Sequence, residues 1–257
     1  MLTLFFIGLV IAMVAFALVW AISVKVHNYG FLDVAWSYGV AVLAPLYACN
    51  SPGTAERKWL IAGIGMAWSL RLGTYILFRV LRHHPSEDVR YQTLRESWKG
   101  PAKFFLFFEL QALLVAVFAL PFLFISFDTS ASVRPVAVAG AVLATIALCG
   151  EAVADMQMQS FKADPGNRGS VCQKGLWRYS RHPNYFFESL IWWAFFLAAL
   201  PSPHGWVTIL CPLLMLYFLF QVTGIPLTEE YSLRSKGDLY RAYQRTTSAF
   251  VPWFRKT

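Results

Sequence analysis

Hydrophobic residues are gathered along the chain into long stretches that are separated by shorter polar connections. A helix that crosses a bilayer needs about 20 predominantly apolar residues, because roughly 30 Å of hydrocarbon must be spanned. Seven stretches approach this length, at residues 2–24, 31–49, 59–80, 104–127, 135–154, 185–200 and 206–224. The pattern therefore predicts an all-α integral membrane protein with about seven transmembrane helices.

Composition agrees with a lipid-embedded protein. Of the 257 residues, 57% are hydrophobic and only 14% are charged, whereas soluble domains carry about 25% charged residues. The four cysteines are far apart and show neither CxxC nor Cys/His spacing, so no disulfide framework and no metal site is expected. The length allows one membrane domain covering residues 1–257.

Basic residues predict the orientation of the helices. Most lysines and arginines lie in three places: between the third and fourth stretches, between the fifth and sixth, and after the seventh. With seven spans these regions share one side, which the positive-inside rule makes cytoplasmic. The amino terminus is then outside and the carboxyl terminus cytoplasmic. The net charge of +8 is accordingly a topological signal, and no nucleic-acid partner is expected.

The densest polar cluster precedes the sixth stretch and has the sequence Gly-Leu-Trp-Arg-Tyr-Ser-Arg-His-Pro-Asn-Tyr-Phe-Phe-Glu over residues 175–188. Pro183 suits the first turn of a helix, where its missing N–H costs nothing. Glu188 then lies about one turn inside an apolar helix, so it should pair with a cation or contact a bound polar ligand. The alternative is that Arg178 and Arg181 only anchor the helix at lipid headgroups.

A second group of polar residues lies near the end of the fifth stretch. Glu151, Asp155, Gln159 and Lys162 follow one another at spacings of four, four and three, which places them on one helical stripe. Acids within an apolar span are functional by default. A structural role, in which Asp155 pairs with Lys162 or an arginine, is the alternative.

The first half of the chain carries two charges inside predicted spans. Asp33 lies at the start of the second stretch and Arg71 lies inside the third. Because these stretches form an antiparallel hairpin, we expect an ion pair between them, which either serves a site or locks the hairpin. The tail after the seventh stretch predicts a short amphipathic cytoplasmic helix, in which Trp253 and Phe254 suit the membrane interface.

The cluster at 175–188, the Asp155-to-Lys162 segment and the tail resemble the carboxyl-terminal region of the steroid 5α-reductase family. Residues 28–37 and 68–79 are similar to a mostly bacterial branch of that superfamily. The resemblance is most specific at Arg-His-Pro-Asn-Tyr-Phe-Phe-Glu. Arg-His-Pro-x-Tyr alone is less specific, because isoprenylcysteine and phospholipid methyltransferases also carry it.

The resemblance implies a seven-helix bundle that binds NADPH in a three-span half, residues 128–257, which ends in the cytoplasmic helix. A four-span half, residues 1–127, would take the substrate. Residues implied or assigned as cofactor-binding are Asp155, Lys162, Arg178, Tyr179, Arg181, His182, Asn184, Tyr185, Glu188 and Tyr243. The host would be a bacterial inner membrane.

In the family a glutamate and a tyrosine hold the substrate ketone. Here Asp33 would stand for the glutamate, while Trp68 occupies the position of the tyrosine, and an indole cannot deliver a proton. Either Tyr75 or Tyr38 takes that role, or the substrate is not the enone of steroid reductases. We assign Asp33, Tyr75 and Arg71 to the catalytic group.

The resulting hypothesis is an NADPH-dependent membrane reductase of a carbon–carbon double bond in a lipophilic, steroid- or isoprenoid-like substrate. A methyltransferase that uses S-adenosylmethionine is the first alternative, favoured by Arg-His-Pro-x-Tyr and the pair Glu229-Glu230. A non-enzymatic lipid-binding membrane protein is the second.

Overall fold

A computed structural model describes residues 1–98, 100–130, 132 and 134–255. These residues form helices and contain no β-strand. The α-helices are α1 (Leu2–Lys25), α2 (Phe31–Cys49), α3 (Ala55–His83), α4 (Val89–Ser97), α5 (Pro101–Phe118), α6 (Leu120–Ser126), α7 (Pro135–Ala163), α8 (Pro183–Ala199), α9 (Leu210–Tyr217), α10 (Ile225–Lys236) and α11 (Asp238–Thr246). The all-α fold predicted from the hydrophobic pattern is confirmed.

Within the described residues, six helical segments are long and apolar enough to cross a membrane. They are Leu2–Lys25, Phe31–Cys49, Ala55–His83, Pro101–Ser126, Pro135–Ala163 and Gly205–Lys236. The sixth predicted stretch, residues 185–200, corresponds to α8, which has 17 residues. At about 1.5 Å per residue a helix of this length is shorter than the hydrocarbon layer, so it falls below the length of an ordinary span.

The chain divides into two compact units. The first contains Met1–Arg134 and Ala199–Gly205, and the second contains Pro135–Ala198 and Trp206–Thr257. In the first unit, α2 and α3 pack against each other. Ser69 of α3 donates its hydroxyl to the Ser37 carbonyl oxygen and accepts from the Ala41 amide at 2.9 Å. This contact lets the two helix backbones approach closely.

The ends of α3 and α6 in the first unit are joined by a charged pair. Arg57 donates to the carboxylate of Asp128, which also accepts from the Ser130 amide at 2.9 Å. The Asp128 side chain is only 3% exposed. Burial alone would raise the pKa of Asp128, but the bonds from Ser130 and the charge of Arg57 hold that pKa below its usual value.

Replacing Asp128 with asparagine is expected to lower the free energy of unfolding by about 2 kcal/mol, because the Arg57 charge loses its counterion. In the wild type, the contribution of the ionised Asp128 carboxylate to the free energy of unfolding is present above about pH 4. It is lost as the pH falls through the lowered pKa of Asp128 in the folded protein. Denaturant unfolding in detergent micelles measures the difference. Asp238→Asn is the matched control, since Asp238 pairs with Arg241 on the exposed surface; equal losses in both variants would contradict the prediction.

In the second unit, α7 and α8 run antiparallel in close contact. Gly140 of α7 lies against the backbone of Ala194 and Ala198, and Gly150 lies against the ring of Phe187. A Cβ at Gly140 would come within 2.5 Å of the Ala198 nitrogen, so glycine is required for this approach. The register places the beginning of α8 beside the polar end of α7.

The long apolar segment Gly205–Lys236 is not one uniform helix. After α9, residues Phe218–Val222 form a π-helical turn, and α10 begins at Ile225 after a break at Gly224. A Cβ at Gly224 would collide with the Leu219 carbonyl oxygen, so only glycine fits the break. This turn sets the direction in which α10 presents Glu229.

Candidate functional site

Glu229 of α10 is the centre of a hydrogen-bond cluster in the second unit. Its Oε1 accepts from Arg181 Nε at 2.6 Å, and His182 Nε2 lies 3.2 Å from the same oxygen. Its Oε2 accepts from Gln244 Nε2 at 2.8 Å. Tyr240 adds a hydroxyl 3.5 Å from Oε1, and burial together with the nearby Glu229 charge raises the pKa of Tyr240 to about 12. Four donors therefore surround one carboxylate.

Arg181 also fastens the end of α11 to the segment before α8. Its Nη1 donates to the carbonyl oxygens of Gln244 and Thr247, at 3.1 and 2.7 Å. The Arg181 amide donates to the carbonyl oxygen of Ser248 at 2.8 Å. The guanidinium thus joins segments that are more than 60 residues apart in the sequence. Most of the N–H donors of the Arg181 guanidinium are paired with protein acceptors and are therefore not available to a ligand.

The other aromatic residues of the cluster brace the same segment. The rings of His182 and Tyr185 are stacked with centroids 5.4 Å apart, and the Tyr185 hydroxyl lies 3.1 Å from Thr228 Oγ1. Tyr243 donates its hydroxyl to the Trp177 carbonyl oxygen and lies 3.1 Å from that of Ser180. Of the residues assigned to cofactor binding, Arg181, His182, Tyr185 and Tyr243 are therefore brought together here.

The three acids predicted inside the membrane helices of this unit are buried. Glu151, Asp155 and Glu188 are 3%, 7% and 8% exposed. The antiparallel register of α7 and α8 puts Glu151 and Glu188 at about the same level, and Trp192 donates its indole N–H to Glu188 at 3.0 Å. Carboxylates are buried in this way only when polar contacts compensate for their desolvation.

Asn184 occupies the first turn of α8, one turn before Glu188. Its Oδ1 is shielded from solvent and accepts no hydrogen bond from the described residues. A buried amide oxygen without a donor costs free energy, so such an atom in a folded protein calls for a ligand or a water. This amide is the most direct indication of a binding function in the second unit.

The remaining residues assigned to the cofactor are at the surface. Lys162 and Arg178 are exposed, and Tyr179 is 37% exposed with its ring against Phe254. On the stripe of α7, Glu151 and Asp155 are buried while Gln159 and Lys162 are exposed. The polar end of the helix therefore passes from the interior to solvent.

The first unit contains a separate polar cluster around Asp33. Tyr91 of α4 donates its hydroxyl to Asp33 Oδ1 at 2.7 Å, and Arg90 Nη2 donates to Oδ2 at 2.7 Å. Arg79 lies 3.8 Å from Oδ2. Asp33 pairs with these arginines rather than with Arg71, contrary to the sequence-based expectation. Arg71 lies about two turns, or about 12 Å, before Arg79 on α3, so only Arg79 is level with Asp33.

Electrostatics keep Tyr91 and Arg90 of this cluster protonated. Burial, reinforced by the Asp33 charge, raises the pKa of Tyr91 well above its usual value. Burial would lower the pKa of Arg90, but the Asp33 charge and a bond to Asp88 hold it above its usual value. Tyr91 is consequently a hydroxyl donor throughout the physiological pH range.

The hydroxyl beside the Asp33 carboxylate belongs to Tyr91 and not to Tyr75 or Tyr38, as the sequence-based assignment had it. The Tyr38 hydroxyl lies 2.9 Å from Thr74 Oγ1.

Sequence reasoning missed α4 as part of this site. The helix is held over the start of α2 by further contacts: Glu87 accepts from the Tyr29 amide and pairs with Arg95, which stacks over the Tyr29 ring. Two acids at residues 87 and 88 lie beside a basic residue at position 90 in the connection between two membrane helices, and that was the available sequence signal. Glu229 was noticed as one of two adjacent acids but not as the partner of Arg181.

Together, the apolar helices and the buried polar clusters define a multi-pass helical membrane protein that carries ionisable groups where a passive anchor needs none. Residues 19–247 match the model of the family described as "Protein of unknown function (DUF1295)". The match covers most of the chain, so the protein belongs to this family. No curated protein and no solved structure matches the chain.

Proposed function

We propose that the protein is an NADPH-dependent membrane reductase that acts on a carbon–carbon double bond of a lipophilic, steroid- or isoprenoid-like substrate. The observation that carries the proposal is the buried Asn184 Oδ1, which lacks a donor beside the buried Glu188. The carboxamide of a nicotinamide offers an N–H₂ group that would satisfy this oxygen. NADPH, when bound, would supply the hydride.

The protein would supply orientation and a dry, polar environment in the second unit. The Glu229 cluster fixes Arg181 and His182 and so holds the turn that leads into α8. Asn184 and Glu188 share one face of α8, at spacing four, where they would contact the nicotinamide end of the dinucleotide. Preformed donors and acceptors of this kind need no reorganisation when the ligand arrives.

In the first unit, the Asp33 cluster is suited to hold a carbonyl group that is conjugated with the reacting double bond. The Tyr91 hydroxyl stays protonated and now donates to Asp33, and a substrate carbonyl oxygen that displaced Asp33 as the acceptor would receive that hydrogen bond. Arg90 balances the Asp33 charge. A hydroxyl donor aimed at an oxygen that becomes negative stabilises the developing enolate. Tyr91 thereby takes the role first assigned to Tyr75.

Dinucleotide titration tests the proposal. We expect purified protein in nanodiscs to bind NADPH, with enhanced nicotinamide fluorescence and a raised melting temperature. Asn184→Ala should weaken this binding roughly tenfold, because a hydrogen bond to the carboxamide is lost. Asn50→Ala is the matched control, since Asn50 donates only to the Leu46 carbonyl oxygen of its own helix. No response of the wild-type protein to either NADPH or NADH would refute the reductase.

A methyltransferase is the second candidate, because Arg181 and His182 of the shared Arg-His-Pro-x-Tyr sequence contact an acid of α10. It predicts binding of S-adenosylmethionine and indifference to NADPH. Against it, the oxygens of Glu229 already accept from three side chains, which leaves little of its charge for a sulfonium ion. The same titration with S-adenosylmethionine distinguishes the two activities.

A further inference from the structure

A cavity of about 330 Å³ lies between the end of α11 and the chain that follows it in the second unit. Its walls include Arg181, Arg245, Ser248 and Trp253. It adjoins the Glu229 cluster through Arg181 but does not contain Asn184 or Glu188, so it is a different part of the unit from the one that would hold the nicotinamide.

The cavity is lined by hydrogen-bond donors in excess of acceptors. Arg245 is exposed and forms no ion pair or side-chain hydrogen bond with a described residue, and among those residues the Ser248 hydroxyl and the Trp253 indole N–H have no acceptor either. No aspartate or glutamate is among the described residues that line it. A concave surface that carries unpaired hydrogen-bond donors and the guanidinium of Arg245 is suited to bind a phosphate group.

Aromatic rings border the same cavity. Trp253 and Phe254 are 69% and 77% exposed, although their backbone is fixed. The Trp253 amide donates to the Tyr179 carbonyl oxygen at 2.9 Å, and Ser180 Oγ donates to that of Phe250 at 2.7 Å. Exposed aromatic rings on a backbone that is hydrogen-bonded at Trp253 are suited to stack with a nucleobase. Hydrogen-bond donors for a phosphate beside a surface on which a base can stack favour a phosphorylated nucleoside over inorganic phosphate as the ligand.

We infer that this cavity takes the adenosine 2′-phosphate end of NADPH and that Arg245 selects NADPH over NADH. The inference rests on the proposed reductase function. The two dinucleotides differ only in the 2′-phosphate, so a cation at that group discriminates between them, as arginines do in other dinucleotide sites. Arg245 has the planar geometry that pairs with two phosphate oxygens. Trp253 would contact the adenine, which both dinucleotides carry.

The test compares the affinities of NADPH and NADH for the wild-type protein, Arg245→Gln and Trp253→Ala in nanodiscs. Arg245→Gln should weaken NADPH binding roughly tenfold or more and leave NADH binding unchanged. Trp253→Ala should weaken both by similar factors. Adenosine 2′,5′-diphosphate should displace NADPH from the wild-type protein more effectively than adenosine 5′-monophosphate does.

Arg241→Gln is the matched control, because Arg241 lies one turn earlier on α11 and pairs with the exposed Asp238. If NADPH binds and Arg245→Gln binds it as tightly as the wild type, the inference fails while the reductase stands. If native mass spectrometry finds an anionic phospholipid that only Arg245→Gln loses, with NADPH affinity unchanged, the cavity is a lipid site and the inference is overturned. If the wild type binds neither dinucleotide, both proposals fall.

Discussion

Replacing Glu229 with alanine is expected to lower the free energy of unfolding by about 3 to 5 kcal/mol and to abolish NADPH binding. The Arg181 side chain is only 11% exposed and His182 is 2% exposed, so removing the carboxylate leaves a buried cation without its counterion. The segment before α8 would lose the contact that fixes it to α10. Thermal unfolding in detergent and dinucleotide titration measure the two effects.

The neighbouring acid provides the control for this experiment. Glu230 pairs with Arg234 one turn away, and both side chains are more than half exposed. Exposed pairs of this kind contribute little to stability, so Glu230→Ala should behave like the wild type. If Glu229→Ala and Glu230→Ala shift the melting temperature equally, Glu229 is not the organising residue of the second unit.

Replacing Tyr91 with phenylalanine is expected to lower the rate of NADPH oxidation with lipophilic α,β-unsaturated ketones by a factor of about 100 to 1,000. The substitution deletes the hydroxyl that donates to the Asp33 carboxylate and keeps the aromatic ring. NADPH affinity should not change, since the hydroxyl serves the carbonyl substrate. A spectrophotometric assay against a panel of such ketones measures the rate.

Tyr38→Phe is the matched control, because the Tyr38 hydroxyl contacts Thr74 and not Asp33. The pH profile gives an independent readout. Burial holds the pKa of Tyr91 well above its usual value, so this group should cause no fall in rate between pH 7 and pH 9. An unimpaired Tyr91→Phe enzyme would remove Tyr91 from the reaction.

The hydrophobic pattern predicted where the membrane helices lie but not where they end. The third stretch was predicted to end at residue 80 and the fifth at residue 154, whereas α3 continues to His83 and α7 to Ala163. Backbone hydrogen bonding continues a helix into water after its side chains become polar. Hydropathy indicates where a helix leaves the lipid. It does not reveal the polar turns by which the helix continues beyond that point.

The chemical partners were less predictable than the helices. Asp33 was correctly singled out as a charge at the start of a span, but its contacts come from α4, which is 57 residues away and has no apolar stretch. Likewise, Arg181 and Glu229 are 48 residues apart. Side-chain pairs of this kind depend on how a connecting segment folds back. Local propensity and periodicity contain no information about that folding.

The orientation of Glu229 depends on the number of residues in the π-helical turn at Phe218–Val222 as well as on their side chains. One residue more or less in the turn would rotate everything after it by about 100° around the helix axis. Glu229 would then face away from Arg181, although no residue of the cluster had changed. An insertion or deletion in this stretch should therefore disturb the Glu229 cluster more than the exchange of one exposed apolar side chain for another.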